Sequence, residues 1–291
     1  METNELLKKV RRIEIKTRGL SNQIFSGNYH SAFKGRGMSF SEVREYSYGD
    51  DVRNIDWNVT ARFNSPFVKV FEEERELTVM LLVDISKSSA FGSKLKYKAD
   101  LITEIAAVLS FSATTNNDKV GVLFFSDKIE KFIPPKKGKS HILRIIRELI
   151  NTEPTSNGTN LALALKHFNN INKKRSIAFI LSDFMSAEYK DALVIAKKRH
   201  DIIGLHIYDD MEENMPDVGL MQIKDAETDK LIWINTSNSE LRKKVNAGFL
   251  KHVDENKSIF VKSGAEFRSI STTDNYIQTL MNLFSQRGSR R

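Results

Sequence analysis

The run Leu77-Thr78-Val79-Met80-Leu81-Leu82-Val83-Asp84-Ile85-Ser86-Lys87-Ser88 decides the reading of this chain. An uninterrupted apolar stretch closed by an aspartate and two serines has the pattern of a strand buried on both faces. In a parallel sheet covered by helices neither face meets water, so the usual alternation of apolar and polar residues disappears. The pattern predicts a strand over 77–84. Two similar runs, 119–125 and 176–183, predict further buried strands. Around them, helical spacing of apolar residues predicts helices over 95–115, 140–150 (with Ser140 as N-cap), 160–169 and 188–199. Shorter strands are expected at 129–133, 202–208 and 266–271. A hairpin is expected from 221–224 and 231–234, a polar helix over 239–257 and a last helix over 275–284. Strands alternating with helices define an α/β fold, a doubly wound, mostly parallel central sheet flanked by helices.

In such a sheet ligands bind beyond the carboxyl ends of the strands. Three groups of polar residues fall there. Alternate residues leaving a strand point the same way, so Asp84, Ser86 and Ser88 can converge on one point. Asp183 ends the third buried run and brings a second carboxylate to the same edge. Between them, Asn157-Gly158-Thr159-Asn160 opens a helix, and its glycine permits a tight turn that aims the Thr159 hydroxyl. Two carboxylates and three hydroxyls form an all-oxygen donor set that suits Mg²⁺, and also Mn²⁺ or Ca²⁺, in preference to zinc or copper. Hydroxyls are neutral ligands and leave a divalent cation under-neutralised. The site can then take a carboxylate from outside as a further ligand. Individually these residues could be caps and turn residues; together, in this order at strand ends, they predict a metal site.

This constellation resembles the von Willebrand factor A fold. Asp84, Ser86 and Ser88 match its DxSxS motif, Thr159 its threonine in a Gly-Thr turn, and Asp183 its later aspartate. The resemblance implies a metal ion-dependent adhesion site in which Ser86, Ser88 and Thr159 touch the metal directly or through water and Asp84 and Asp183 act largely through water. A longer resemblance spans most of the chain. Gly35-Arg36-Gly37-Met38-Ser39-Phe40, Arg44-Glu45-Tyr46, 49–57, Ala61-Arg62, 71–75, Gly121, Ser182-Asp183-Phe184 and Arg199-His200-Asp201 are similar to the bacterial domain-of-unknown-function family fifty-eight. That resemblance implies work beside a MoxR-type AAA+ ATPase, in chaperone-like assembly or activation of other proteins. Many members carry transmembrane helices ahead of the Gly-rich motif, which this chain does not show.

Residues 1–75 read as an N-terminal extension and 76–291 as the α/β domain. Apolar spacing predicts an amphipathic helix over 5–25, docked on the body. The segment 29–76 is rich in Gly, Arg, Asp and aromatics, with a strand pattern only at 66–71. Within it Arg44, Asp50, Asp51, Arg53, Asp56, Trp57 and Arg62 crowd together. One reading is an exposed docking surface carried by Arg53, Asp56, Trp57 and Arg62, since Trp and Arg are enriched at interface hot spots. The other, which weighs more, is internal ion pairing with a buried Trp57, because an unpatterned segment needs ties to stay ordered.

Composition narrows the function. With no cysteine there is no disulfide, thiolate catalysis or Cys-bound zinc. The six histidines, at 30, 141, 167, 200, 206 and 252, show no ligand spacing. The net charge of +8 lies in the ends: residues 1–40 hold eight Lys/Arg and three Asp/Glu, the last nine residues hold three Arg, and 41–282 is neutral. A neutral body argues against nucleic-acid binding, and the basic ends offer at most a peripheral contact with an anionic membrane surface. No apolar stretch approaches the roughly 20 residues of a spanning helix, and no signal peptide is expected at the start, so the location expected is cytoplasmic. The function expected is metal-dependent protein–protein interaction without catalysis. The alternative is a Mg²⁺-dependent phosphohydrolase with Asp84 as nucleophile; Ser86 stands where that chemistry needs a second acid, and no motif supplies a lysine.

Overall fold

The computed structural model describes residues 11, 13–14, 38–73, 77–90, 97–152, 156, 158–186, 188–224 and 231–289. Two strands, β1 (Met38–Glu45) and β2 (Phe67–Glu73), pair antiparallel with an irregularity between Phe40 and Glu42. The helix α1 (Trp57–Phe63) lies between them in sequence. The central strands are β3 (Thr78–Asp84), β4 (Lys119–Phe125), β5 (Ile129–Lys136), β6 (Ile177–Ser182), β7 (Asp201–Tyr208) and, after the hairpin β8 (Leu220–Lys224) and β9 (Leu231–Asn235), β10 (Glu266–Ser271). Six of them form one sheet in the order β10-β7-β6-β3-β4-β5, parallel throughout except for the edge strand β5. The α/β fold is therefore as the apolar runs predict.

The helices are α2 (Lys98–Thr115), α3 (Lys139–Asn151), α4 (Leu161–Ile171), α5 (Lys190–Arg199), the short α6 (Asp210–Glu213), α7 (Ser239–Lys262) and α8 (Tyr276–Ser289). Strand β3 shows how they are shared out. Val79, Leu81 and Val83 point into a core with α2, α3 and α8, while Met80 and Leu82 point into a second core with α4, α5 and Phe260 of α7. Successive side chains of a strand alternate sides, so one apolar run fills both cores. Gly121 of β4 is fixed by close approach: a Cβ there would lie 2.9 Å from Pro135 N and 3.0 Å from Ile133 O of β5.

Several boundaries differ from expectation for local reasons. Helix α3 starts at Lys139 and is capped by Gly138 at φ +98°, so Ser140 sits inside the first turn and is not the N-cap. Strand β5 runs on through Pro134 and Pro135, which an edge strand tolerates. Strand β1 and helix α1 were not expected at all. The helix expected over 5–25 lies largely outside the described residues. Of its described members, Ile13 is buried in the core shared with α2 and α3, and Glu14 pairs with Lys139 at 2.5 Å.

Candidate metal centre at the β3–β6 rim

From β3 the chain moves to β4 on one side, and it later returns to place β6 on the other. The sequence direction of the sheet reverses between β3 and β6, and a crevice opens there at their carboxyl ends. Asp84 closes β3, Ser182 closes β6, and their preceding residues Val83 and Leu181 are register partners. The two ends join by side chains: the Ser182 hydroxyl donates to Asp84 Oδ2 at 2.5 Å, across 98 residues of sequence. Asp84 Oδ1 accepts the Ser86 amide at 2.9 Å, so the carboxylate shapes the turn that leaves its own strand. The Ser86 and Ser88 hydroxyl oxygens lie 2.9 Å apart. Ser88 in turn hydrogen-bonds Asp183, which also accepts the Met185 amide at 3.1 Å.

A cation that sequence reasoning missed completes this cluster. Lys98, the first residue of α2, is buried, and its Nζ lies 3.2 Å from Asp183 Oδ2 and 2.7 Å from Glu212 Oε1 of α6. The Lys98 and Asp183 side chains are only 2% and 7% exposed. Two neighbouring carboxylates are thus driven in opposite directions. Burial, and then the Asp183 charge, raise the Asp84 pKa to about 6 against the hydrogen bonds from Ser182 and Ser86. Burial also works to raise Asp183, but the Lys98 ammonium with the Ser88 and Met185 hydrogen bonds outweighs it and holds that carboxyl below its ordinary value.

Asp183 is aimed by its successor. Phe184 adopts φ +57°, a left-handed conformation that costs a non-glycine residue about 1–2 kcal/mol. Its amide donates to the Ser182 hydroxyl at 2.9 Å, and its ring is buried 5.3 Å from both Phe260 and Phe267. Gly204 of β7 makes room for these rings, since a Cβ there would come within 2.6 Å of Phe260 and 3.1 Å of Phe184.

Of the five residues expected at a metal site, Asp84, Ser86, Ser88 and Asp183 form one hydrogen-bonded group. Thr159 lies on a separate loop. Its loop is fastened beside the end of β4, where the Asn160 amide donates to Ser126 O at 2.7 Å, and its own carbonyl accepts from the Ser186 hydroxyl at 3.3 Å. No hydrogen bond among the described residues joins the Thr159 hydroxyl to the other four. The donors present are carboxylate and hydroxyl oxygens, and among the described residues there is no group of three or more His, Asp or Glu that could hold a metal. A cation here would therefore lean on serine hydroxyls as well as on the two aspartates, which fits a hard ion such as Mg²⁺ and not zinc.

The described histidines pack. His206 stacks on Tyr208 and Phe267, and burial pushes its pKa down to about 3. His252 approaches the site only through the Asp183 carbonyl, at 3.2 Å. Beside Asp183 a cavity of about 330 Å³ is lined by Met185, His206, Glu212, Val245, Phe249 and His252, among others.

The Arg-Asp-Trp segment divides between its two readings. The ion pairs are internal: Arg44 grips Asp50 through two hydrogen bonds of 2.7 and 2.8 Å, Arg53 pairs with Asp51 at 2.8 Å, and Asp56 caps α1 while facing Lys69 at 3.4 Å. Trp57, however, at the start of α1, is 70% exposed and not buried. Arg62 is exposed as well.

Fold and rim together define a doubly wound α/β domain with an acid–hydroxyl cluster at the sheet's switch point. The chain belongs to the family described as "Protein of unknown function DUF58", whose pattern matches residues 42–255. It is 29% identical over 227 residues to the uncharacterized protein Mb1516 of Mycobacterium bovis, covering 77% of this chain and 72% of that protein. It is 27% identical over 109 residues to the uncharacterized protein YeaD of Bacillus subtilis, covering 38% and 25% respectively. Among solved structures it is similar to the conserved hypothetical protein BatB of Bacteroides thetaiotaomicron, at 14% identity and TM-score 0.48, covering 73% of this chain and 99% of that one. It is also similar to the VWA domain of SpRpn10, at 14% identity and TM-score 0.37, covering 72% and 95%. No helix among the described residues is long and apolar enough to cross a membrane.

Proposed function

We propose that this protein is a divalent-cation-dependent protein-interaction module and not an enzyme. The observation that carries the reading is the joining of Asp84, Ser86, Ser88 and Asp183, from two distant stretches of chain, into one buried oxygen cluster at the switch point. Ser86 and Ser88, with Thr159 from the adjoining loop, are the proposed direct ligands, and Asp84 and Asp183 the residues that act largely through water. Magnesium bound there would supply an open coordination position for an acidic residue of a partner. The remaining work is done by the chain itself: Ser182 fixes Asp84, and Phe184 and Lys98 fix Asp183. Family resemblance nominates a MoxR-type AAA+ ATPase, or a client protein of one, as that partner, in assembly or activation of other proteins within the cytoplasm.

Two measurements test this. Purified protein should unfold at a higher temperature in millimolar Mg²⁺ than in EDTA, and Asp84→Ala should abolish that difference. The immobilised protein should retain the MoxR-type ATPase of the same organism only in Mg²⁺. Retention and unfolding temperature both indifferent to EDTA and to Asp84→Ala would reject the reading.

One observation favours a second reading. A phosphohydrolase using Asp84 as nucleophile needs a lysine near its carboxylates, and the sequence offers none by motif, yet Lys98 lies against Asp183. Ser86 still occupies the position where such an enzyme places its acid. Robust Mg²⁺-dependent turnover of a generic phosphate ester, lost in Asp84→Asn, would favour this second reading over the first.

A further inference from the structure

A cation at the first turn of a helix opposes the helix dipole, and burying it costs more unless it is paired. Lys98 accepts both penalties, being the first residue of α2 with a side chain only 2% exposed. It is held in place from two directions. Asp183 takes one side, and Glu212 takes the other through Oε1 while its Oε2 accepts the Asp209 amide at 2.8 Å. Asp209 in turn is fastened by the Thr272 hydroxyl at 2.8 Å. The ammonium is thus a built-in charge and not a lysine that has drifted into the site. It stands on a carboxylate proposed above to serve the metal.

We propose that Lys98 is a permanent internal competitor for Asp183, which sets the divalent-cation affinity of the centre below what its oxygen donors alone would give. This rests on the metal-site reading above. The charge count gives its direction. Asp84 and Asp183 bring two negative charges, enough to balance one divalent ion. Lys98 adds a positive charge against one of them, so an incoming cation meets repulsion from the ammonium and a carboxylate already engaged. Glu212 moderates the effect, since it shares the ammonium with Asp183. Removing Lys98 frees Asp183 for the metal. Neutralising Glu212 removes one of the carboxylates that share the ammonium, leaves more of its charge on Asp183, and shifts affinity the opposite way.

The test is a Mn²⁺ titration of the purified full chain, followed by electron paramagnetic resonance of the free ion, on wild type, Lys98→Met, Glu212→Gln and Asp84→Ala. Lys98→Met preserves the length and apolar stem of the side chain, and Glu212 is 31% exposed, so Glu212→Gln provides a reading even where Lys98→Met fails to fold. Lys98→Met should bind Mn²⁺ about tenfold more tightly than wild type, Glu212→Gln a few-fold more weakly, and Asp84→Ala not at all. Equal affinity in wild type, Lys98→Met and Glu212→Gln, with loss in Asp84→Ala, overturns the competitor role and leaves the metal centre standing. Weaker binding in Lys98→Met with its fold intact also overturns it. Absence of Mn²⁺ binding in every protein overturns the metal centre itself, and the competitor with it.

Discussion

The central six-stranded sheet and the small β1–β2 sheet are ordered by different forces. In the central sheet nearly every side chain of β3, β4, β6 and β7 is buried, and two apolar cores sandwich the strands. Among the described side chains of the β1–β2 region Val68 lies inside, while Tyr48, Val52, Trp57 and Phe63, from the segment between the strands, are exposed. Its order comes from the Arg44–Asp50 and Arg53–Asp51 pairs and the Asp56 cap. Exposed ion pairs contribute little each, whereas each fully buried large apolar side chain contributes about 1.5–3 kcal/mol. The scaffold that positions the rim is therefore robust, and the Trp57 surface is left free to change without unfolding it.

Three substitutions would break or sharpen that contrast. The largest effect is expected for Phe179→Ala in the middle of β6, where ring and packing are lost together. Denaturant unfolding should show a loss of about 3–5 kcal/mol, and a loss under 1 kcal/mol would mean that the core is looser than its burial indicates. An intermediate effect concerns His200, buried against Phe168 with ring centroids 4.4 Å apart. Burial, and then Arg199 and Arg175, depress its pKa to about 4. The folded state keeps this ring neutral where the unfolded chain already takes up a proton. Its contribution is therefore intact above the unfolded value near pH 6.5 and is lost as the pH falls toward 4. Stability should drop by about 1.4 kcal/mol per pH unit from this group within that window. His200→Phe should flatten the profile between pH 6.5 and pH 5; an unchanged slope would place the proton elsewhere. The smallest effect is expected for Trp57→Ser, which should leave unfolding within about 0.5 kcal/mol of wild type. A larger loss would show that the outward face of α1 is covered by the protein itself.

The same contrast explains what could be read before folding was known. Strand β4 appears in the sequence at its observed limits because its apolar run ends abruptly at Ser126, and β10 does so although only Phe267 and Ile270 in it are apolar. The DxSxS run after β3 and Asp183 after β6 were legible for the same reason, since strand ends are marked and their spacing in a doubly wound sheet is fixed. Strand β1, Met38-Ser39-Phe40-Ser41-Glu42-Val43-Arg44-Glu45, breaks its apolar–polar alternation at the register shift between Phe40 and Glu42 and carries charges at Glu42, Arg44 and Glu45, so its strand pattern is faint in the sequence. Lys98 gave no signal because its partners lie 85 and 114 residues away, and nothing in the local pattern of α2 distinguishes it from a solvated lysine. Trp57 was misread because composition says nothing about which side of a short helix faces out.

Phe184 ties the rim to a helix distant in sequence. Its left-handed backbone is tenable only while its ring stays wedged against Phe260 of α7. The orientation of the neighbouring aspartate is thus tied to α7, and a force that prises α7 outward removes the wedge. Helix α7 is long and largely polar, and through Val245, Phe249 and His252 it also lines the cavity beside Asp183, so the helix that holds the wedge borders the rim itself.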